Sequence, residues 1–119
     1  MSKIYTITED RGFTKIKFLA KPAYDDIVGI IDEIAEHYPY ERRLWDLSEI
    51  EFDLTAQELQ AIALYGKGKF PLPNKMAFLT DNDLIFGELR MFEGYRAHDQ
   101  ITTMQVFRKN DEAEAWLRE

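Results

Sequence analysis

The residues that could do chemistry concentrate in one stretch, "LWDLSEIEFDLTAQEL" at 44–59, where Asp46, Ser48 and Thr55 fall close together. An aspartate at a strand end can hold a polar ligand or a cation. A hydroxyl at a helix start can take a phosphate, which the positive end of the helix dipole tolerates. Thr55 is therefore either a modifiable switch or a helix cap. Thr55-Ala-Gln-Glu58 is a capping box, in which the threonine oxygen accepts from the N3 backbone N–H and the glutamate reaches back. Leu54 and Leu59 occupy the flanking hydrophobic-staple positions. Two coincident capping features favour the cap over the switch.

A second group spans 80–93. Asp81, with Thr80 and Asp83, extends the oxygen-rich rim begun by Asp46 and Ser48, and such a rim suits Mg²⁺ or a polar ligand. No dedicated ligand spacing accompanies it, so no metal and no cofactor is assigned. The plainer reading has Asp81 and Asp83 opening a helix while Asp46 bonds the backbone of the next loop. Arg90 offers a bidentate fork for an acidic ligand, or a helical ion pair with Glu93. Gly87 in mid-helix costs about 1 kcal/mol against alanine, which implies something close to the backbone there. Phe86 completes this candidate ligand group. His37 and His98 fit helix C-termini, and no nucleophile–base pair emerges, so no enzyme mechanism is assigned.

Elements that position these residues follow from periodicity. Lys3–Glu9 and Phe13–Leu19 alternate, with a glycine-containing turn between them, and read as a hairpin. Pro22 opens a helix whose apolar face is Tyr24, Ile27, Val28, Ile31, Ile34, Ala35 and Tyr38, ending before Pro39. Arg43–Leu47 is a strand, and Thr55–Tyr65 a helix with Gly66 and Gly68 as its C-cap and Lys67 and Lys69 against its dipole. "GKGKFPLPNK" lacks the spacing and the placement of a phosphate loop. Lys75–Thr80 is an apolar strand suited to cover on both faces. Asp83–Arg96 is a helix facing inward with Ile85, Leu89 and Phe92, widened by Leu84, Met91 and Tyr95. Thr102–Arg108 is a strand, and Asn110 caps a last helix carrying Ala113, Trp116 and Leu117. The order β-β-α-β-α-β-α-β-α predicts one α/β domain over 1–119, with a mixed, mainly parallel sheet, an N-terminal hairpin and about four helices.

Composition bounds the function classes. The chain has 119 residues and no cysteine, so disulfides, thiol catalysis and thiolate metal sites are excluded. With 22 acidic against 15 basic residues and a net charge of −7, it is poorly suited to nucleic acid. No apolar run could span a bilayer, and the first residues carry no signal core; a cytoplasmic protein is expected. Aromatic residues make up 13% of the chain, so some of Tyr38, Tyr40, Phe70, Phe86 and Tyr95 are candidates for an apolar pocket, although core is the commoner role.

"WDLSEIEFDLTAQEL", "FGELRMFEGY" and "VFRKNDEAEAWL" in this order resemble the bacterial SpoIIAA-like family, a STAS-type group related in fold to anti-sigma-factor antagonists and compared with CRAL-TRIO lipid-binding domains. The resemblance runs from the hairpin to the final Trp-Leu. It implies a helix-flanked mixed sheet and a non-enzymatic regulatory or protein-interaction role, with Asp46, Ser48 and Thr55 as the candidate phospho- and partner-binding residues. In the antagonists the helix opens with Asp-Ser-Ser-Gly and the second serine takes the phosphate. Laid on this chain, those positions are Leu54, Thr55, Ala56 and Gln57, so the usual acceptor is missing. The alternative that the resemblance implies is a carrier or sensor of a lipid-like or acidic small molecule at Arg90, Gly87, Phe86 and Asp81. A protein partner is expected, with a homodimer and an apolar small molecule as further candidates.

Overall fold

The computed structural model describes residues 4–38, 41–51, 54–70, 73–95 and 102–119. Lys3, Pro39, Tyr40, Arg96 and His98, each given a role above, lie outside the described residues. The elements are β1 (Tyr5–Asp10), β2 (Phe13–Phe18), α1 (Tyr24–His37), β3 (Arg42–Asp46), α2 (Ala56–Lys69), β4 (Asn74–Leu79), α3 (Asp83–Tyr95), β5 (Thr102–Phe107) and α4 (Asn110–Leu117). The expected order holds throughout. Arg11 at φ 49° and Gly12 at φ 92° turn the hairpin, the left-handed conformation that glycine adopts at no steric cost.

The five strands lie in chain order, β1-β2-β3-β4-β5. β1 and β2 pair antiparallel, with Ile7 opposite Ile16, and β2 through β5 are parallel. Three successive crossovers of one hand, stepping in one direction, must place their helices on one face. The core bears this out. Ile27, Ile30, Ile31 and Ile34 of α1, Leu59, Ile62 and Ala63 of α2, and Ile85, Leu89 and Phe92 of α3 share one apolar cluster with Ile16, Phe18, Trp45, Met76, Phe78 and Val106. Among the described residues the opposite face is covered by α4 alone, whose Ala113 and Leu117 meet Phe13, Leu44, Ala77, Leu79 and Phe107. β4 is thus apolar on both faces, as its continuous run requires.

A polar layer crosses the helix-rich face at the amino ends of the strands. Arg43, 1% exposed, donates from Nη2 to Asn74 Oδ1 at 2.7 Å, and Asn74 Nδ2 donates to Thr102 Oγ1 at 3.1 Å. The guanidinium also lies 3.9 Å from the centroid of Phe70, the residue that closes α2. α1 is tied to its neighbours by polar contacts. Tyr65 and Lys69 of α2 both reach Asp32, the lysine at 3.1 Å, and together they hold that carboxyl below its ordinary range. On the other side Tyr5 of β1 donates to Glu33 at 2.7 Å.

Several local expectations are corrected. Pro22 precedes α1, because Ala23 occupies the N-cap; its N–H donates to Asp26 at 2.8 Å, and an alanine offers no acceptor in return. Ile30, absent from the predicted face, is 1% exposed and completes the i, i+3, i+4, i+7 stripe. Gly66 and Gly68 do not cap α2. The helix continues to Lys69, and Phe70 ends it without left-handed geometry, because the buried stripe Leu59-Ile62-Ala63-Gly66 carries the helix on past Tyr65. Leu84 and Met91 do not widen the inner face of α3, being 71% and 48% exposed. Asn110 is the first residue of α4 and bonds Glu114, while Lys109 holds the N-cap position.

Removing the amide in Asn74→Ala leaves a buried guanidinium and Thr102 short of a partner each, at an expected cost of about 2–3 kcal/mol. Urea denaturation measures this, and a loss under about 0.5 kcal/mol would mean that the layer is dispensable. The Glu33 carboxylate beside Tyr5, with partial burial, pushes the phenol up to about 12 from its ordinary 10.0. A raised folded value favours the protonated form in the fold. The Tyr5 contribution is therefore complete below pH 10.0 and is lost as pH rises through about 12. Tyr5→Phe should flatten that part of the alkaline unfolding curve.

Candidate functional site

Parallel strands place their carboxyl ends on one edge, where the loops to α2, α3 and α4 emerge. The edge is built by local hydrogen bonds. Leu47 N–H donates to Leu79 O at 2.9 Å and Thr80 N–H to Phe107 O at 3.0 Å, extending the sheet one residue past β3 and β4. Asp46, 5% exposed, accepts at Oδ1 from the Ser48 N–H at 2.9 Å and from the Ser48 hydroxyl at 2.5 Å. Both groups are occupied in shaping the turn toward α2.

Thr55 is the N-cap of α2. Its Oγ1 accepts from Glu58 N–H at 3.1 Å, and its own N–H donates to Glu58 Oε1 at 3.0 Å, so the capping box is complete. Leu54 and Leu59 are both buried beneath it in the main cluster. Thr55, Ala56 and Gln57 are exposed, so the first turn of α2 presents itself to solvent.

At the next loop the cap is Asn82, a residue the sequence reading passed over. Its Oδ1 accepts from Ile85 N–H at 3.1 Å, and its N–H donates to Thr80 Oγ1 at 3.2 Å. The signal was an Asn three residues before the first buried position of a helix. Asp83 opens the helix, and its Oδ1 lies 2.8 Å from Arg108 Nη1, while the same guanidinium lies 4.2 Å from the Phe86 ring. Asp81 contributes its backbone carbonyl to Arg108 at 3.5 Å and is exposed. Among the described residues no three of His, Asp and Glu gather as a cation would need.

Of the proposed ligand group, Asp81 and Phe86 both meet Arg108. Arg90, 58% exposed, pairs with Glu93 at 3.8 Å, the helical ion pair foreseen as the plainer reading. Gly87 is a correction: it is exposed, and a Cβ there would meet nothing within 4 Å, so no backbone approach accounts for it. Phe86, Tyr38 and Tyr95 pack against the rim of the core.

A cavity of about 50 Å³ lies elsewhere, between the sheet and the three helices. Its lining is apolar: Phe18, Trp45, Met76 and Phe78 from the strands, Ile27 and Ile31 from α1, Leu59, Ile62 and Gly66 from α2, Leu89 and Phe92 from α3, with Leu47 and Phe70. Of the described pocket aromatics expected from sequence, Phe70 lines it and Tyr38, Phe86 and Tyr95 do not, while Tyr40 lies outside the described residues. Trp45 was missed because one tryptophan inside a short strand carries no periodic signal. Its ring lies between Phe18 and Phe78, each 6.2 Å away and nearly parallel, and Phe92 meets Phe78 edge-on at 5.7 Å. At ~24 cal/mol per Å³, leaving such a void empty costs about 1 kcal/mol.

Solved structures align with nearly the whole chain. A protein of the DUF3478 family from Shewanella loihica PV-4, described as having a SpoIIAA-like fold, matches with a TM-score of 0.60 at 16% identity, over 95% of this chain and 91% of that one. The anti-sigma factor antagonist SpoIIAA, in its unphosphorylated form, matches with a TM-score of 0.56 at 11% identity, over 96% and 97%. The fold is SpoIIAA-like. No family model matches the sequence, and no curated protein does. No helix among the described residues is long and apolar enough to cross a membrane.

Thr55→Ala should cost about 1 kcal/mol of stability, and Glu58→Ala should add little on top of it, because the two side chains act as one box. A double-mutant cycle by chemical denaturation measures the coupling. Strict additivity would show that Thr55 is not held as a cap.

Proposed function

We propose that this chain is a non-enzymatic, cytoplasmic STAS-type domain that docks a protein partner at the carboxyl edge of its sheet, around the first turn of α2. What supports the reading is the likeness in fold to an anti-sigma factor antagonist across 96% of the chain. The edge suits docking: Thr55, Ala56 and Gln57 are exposed on a turn anchored by two buried leucines and a complete capping box. Rigid presentation lowers the ordering cost of association.

The docking operates without a phosphoserine switch. The position that would carry the acceptor is Ala56, and the neighbouring hydroxyl, on Thr55, is engaged with the Glu58 backbone. Partner choice then rests on abundance and surface fit.

A photo-crosslinking residue placed at Ala56 in the native host tests both halves. Ala56 is exposed in the first helical turn, so the substitution disturbs no core contact. One dominant protein should be captured, and the same protein should be absent when the crosslinker sits at Gly68, near the far end of α2. Capture that is equal at both positions, or none at Ala56, would remove this edge as the docking surface. Phosphate found on Thr55 in the same purification would overturn the switchless reading alone.

A further inference from the structure

Leu84, Gly87, Met91 and Gly94 follow one another along α3 at steps of three, four and three residues. At 100° per residue they fall within an arc of about 80°, on the side of the helix away from the buried Ile85, Leu89 and Phe92. The strip stands in solvent: Leu84 is 71% and Met91 48% exposed, and both glycines are exposed. It carries no charge of its own. At its flanks Asp83 is paired with Arg108 and Arg90 with Glu93, and Glu88 Oε2 is shielded from solvent.

Nothing among the described residues calls for glycine at 87 or 94. A Cβ at either would meet nothing within 4 Å, and neither adopts the positive φ that favours glycine. Each nonetheless weakens the helix relative to alanine. What glycine offers in that setting is a shallow place where another chain can sit close. The spacing says which chain. Steps of three, four and three read the same in both directions, so a second α3 can lie antiparallel across the first in matching register. Leu84 then faces Gly94 of the partner subunit and Met91 faces Gly87 of the partner subunit, a large side chain over a hollow at every level. A parallel pairing would set leucine on leucine and leave glycine against glycine. Both copies use the same strip, which is the isologous contact of a twofold dimer. Charge agrees with this. A chain of net charge −7 repels its copies, and an uncharged strip is where they can approach.

We infer that the outer strip of α3 is a self-association surface, on which two copies of this chain pair antiparallel with Leu84 and Met91 of each seated over Gly94 and Gly87 of the other. The surface is distinct from the first turn of α2 and does not depend on the docking reading. One helix of 13 residues per subunit is a small contact, in the class below ~1,200 Å² that weak and transient complexes occupy. The association is therefore reversible.

Sedimentation equilibrium of the full chain, from about 1 μM to about 1 mM, should show monomer and dimer in exchange with a micromolar dissociation constant. Gly87→Gln and Gly94→Gln fill the hollows with a good helix former. Each should raise the melting temperature at the dilute end of the series and still weaken the dimer at least about tenfold. Met91→Glu should weaken it by as much, while Leu64→Glu, also solvent-exposed but on α2, should leave it unchanged. Because the copies repel, added salt should tighten the dimer. In a mixture of labelled and unlabelled chains, nuclear Overhauser contacts should join the Leu84 methyls of one copy to the Gly94 α-protons of the other. A chain still monomeric at about 1 mM, or a dimer that keeps full affinity in both glutamine variants, would overturn the surface. Contacts from Leu84 of one copy to Leu84 of the other would overturn the antiparallel register.

Discussion

The guanidinium of Arg43 is a full positive charge placed inside the sheet–helix interface, and the geometry around it has little freedom. Water is excluded, so its N–H groups must find partners in the protein. Asn74 accepts one of them and passes a hydrogen bond on to Thr102, which links β3, β4 and β5 across a single row. Such a row tolerates no slip of register, because a shift by one residue sends each side chain to the other face. Phe70, stacked on the same guanidinium, sets where α2 ends. The polar row thus aligns three strands and one helix terminus, and the apolar cluster above it inherits that alignment.

From that alignment follows the separation of the two ends of the sheet. The amino end is closed by the buried row. The carboxyl end is shaped by short bonds within each loop: Asp46 to Ser48, Thr55 to Glu58, Asn82 to Ile85. These bonds satisfy the backbone groups that helix starts leave open. They also engage the Asp46 carboxylate and the Ser48 and Thr55 hydroxyls.

Element types and order were legible because hydrophobic period separates strands from helices, and the capping box at Thr55 was legible because it is local in sequence. What the sequence reading misplaced depended on neighbours it could not see. Gly66 looked like a terminator until its position in the buried stripe of α2 made it part of the helix interior. Leu84 and Met91 looked like core because they are apolar, but the inner face of α3 is already filled by Ile85, Leu89 and Phe92. Arg43 gave no sign of burial, since a charged residue at a strand start is ordinarily exposed. The cavity was invisible for the same reason: it is assembled from residues in β2, α1, β3, α2, β4 and α3, and no window of sequence contains it.

Strand order equal to chain order has a kinetic meaning. Each strand pairs with the one made just before it, so a chain emerging from the ribosome can add β3, then β4, then β5 to a growing edge without waiting for a later partner. Loop-closure entropy at each step is confined to one crossover. Only α4 must reach back, to lay Lys75 against the Trp116 carbonyl and ring and to cover Leu44 and Ala77. Until it does, one face of the sheet is bare, which makes the docking of the last helix the step at which the nascent domain stops being adhesive.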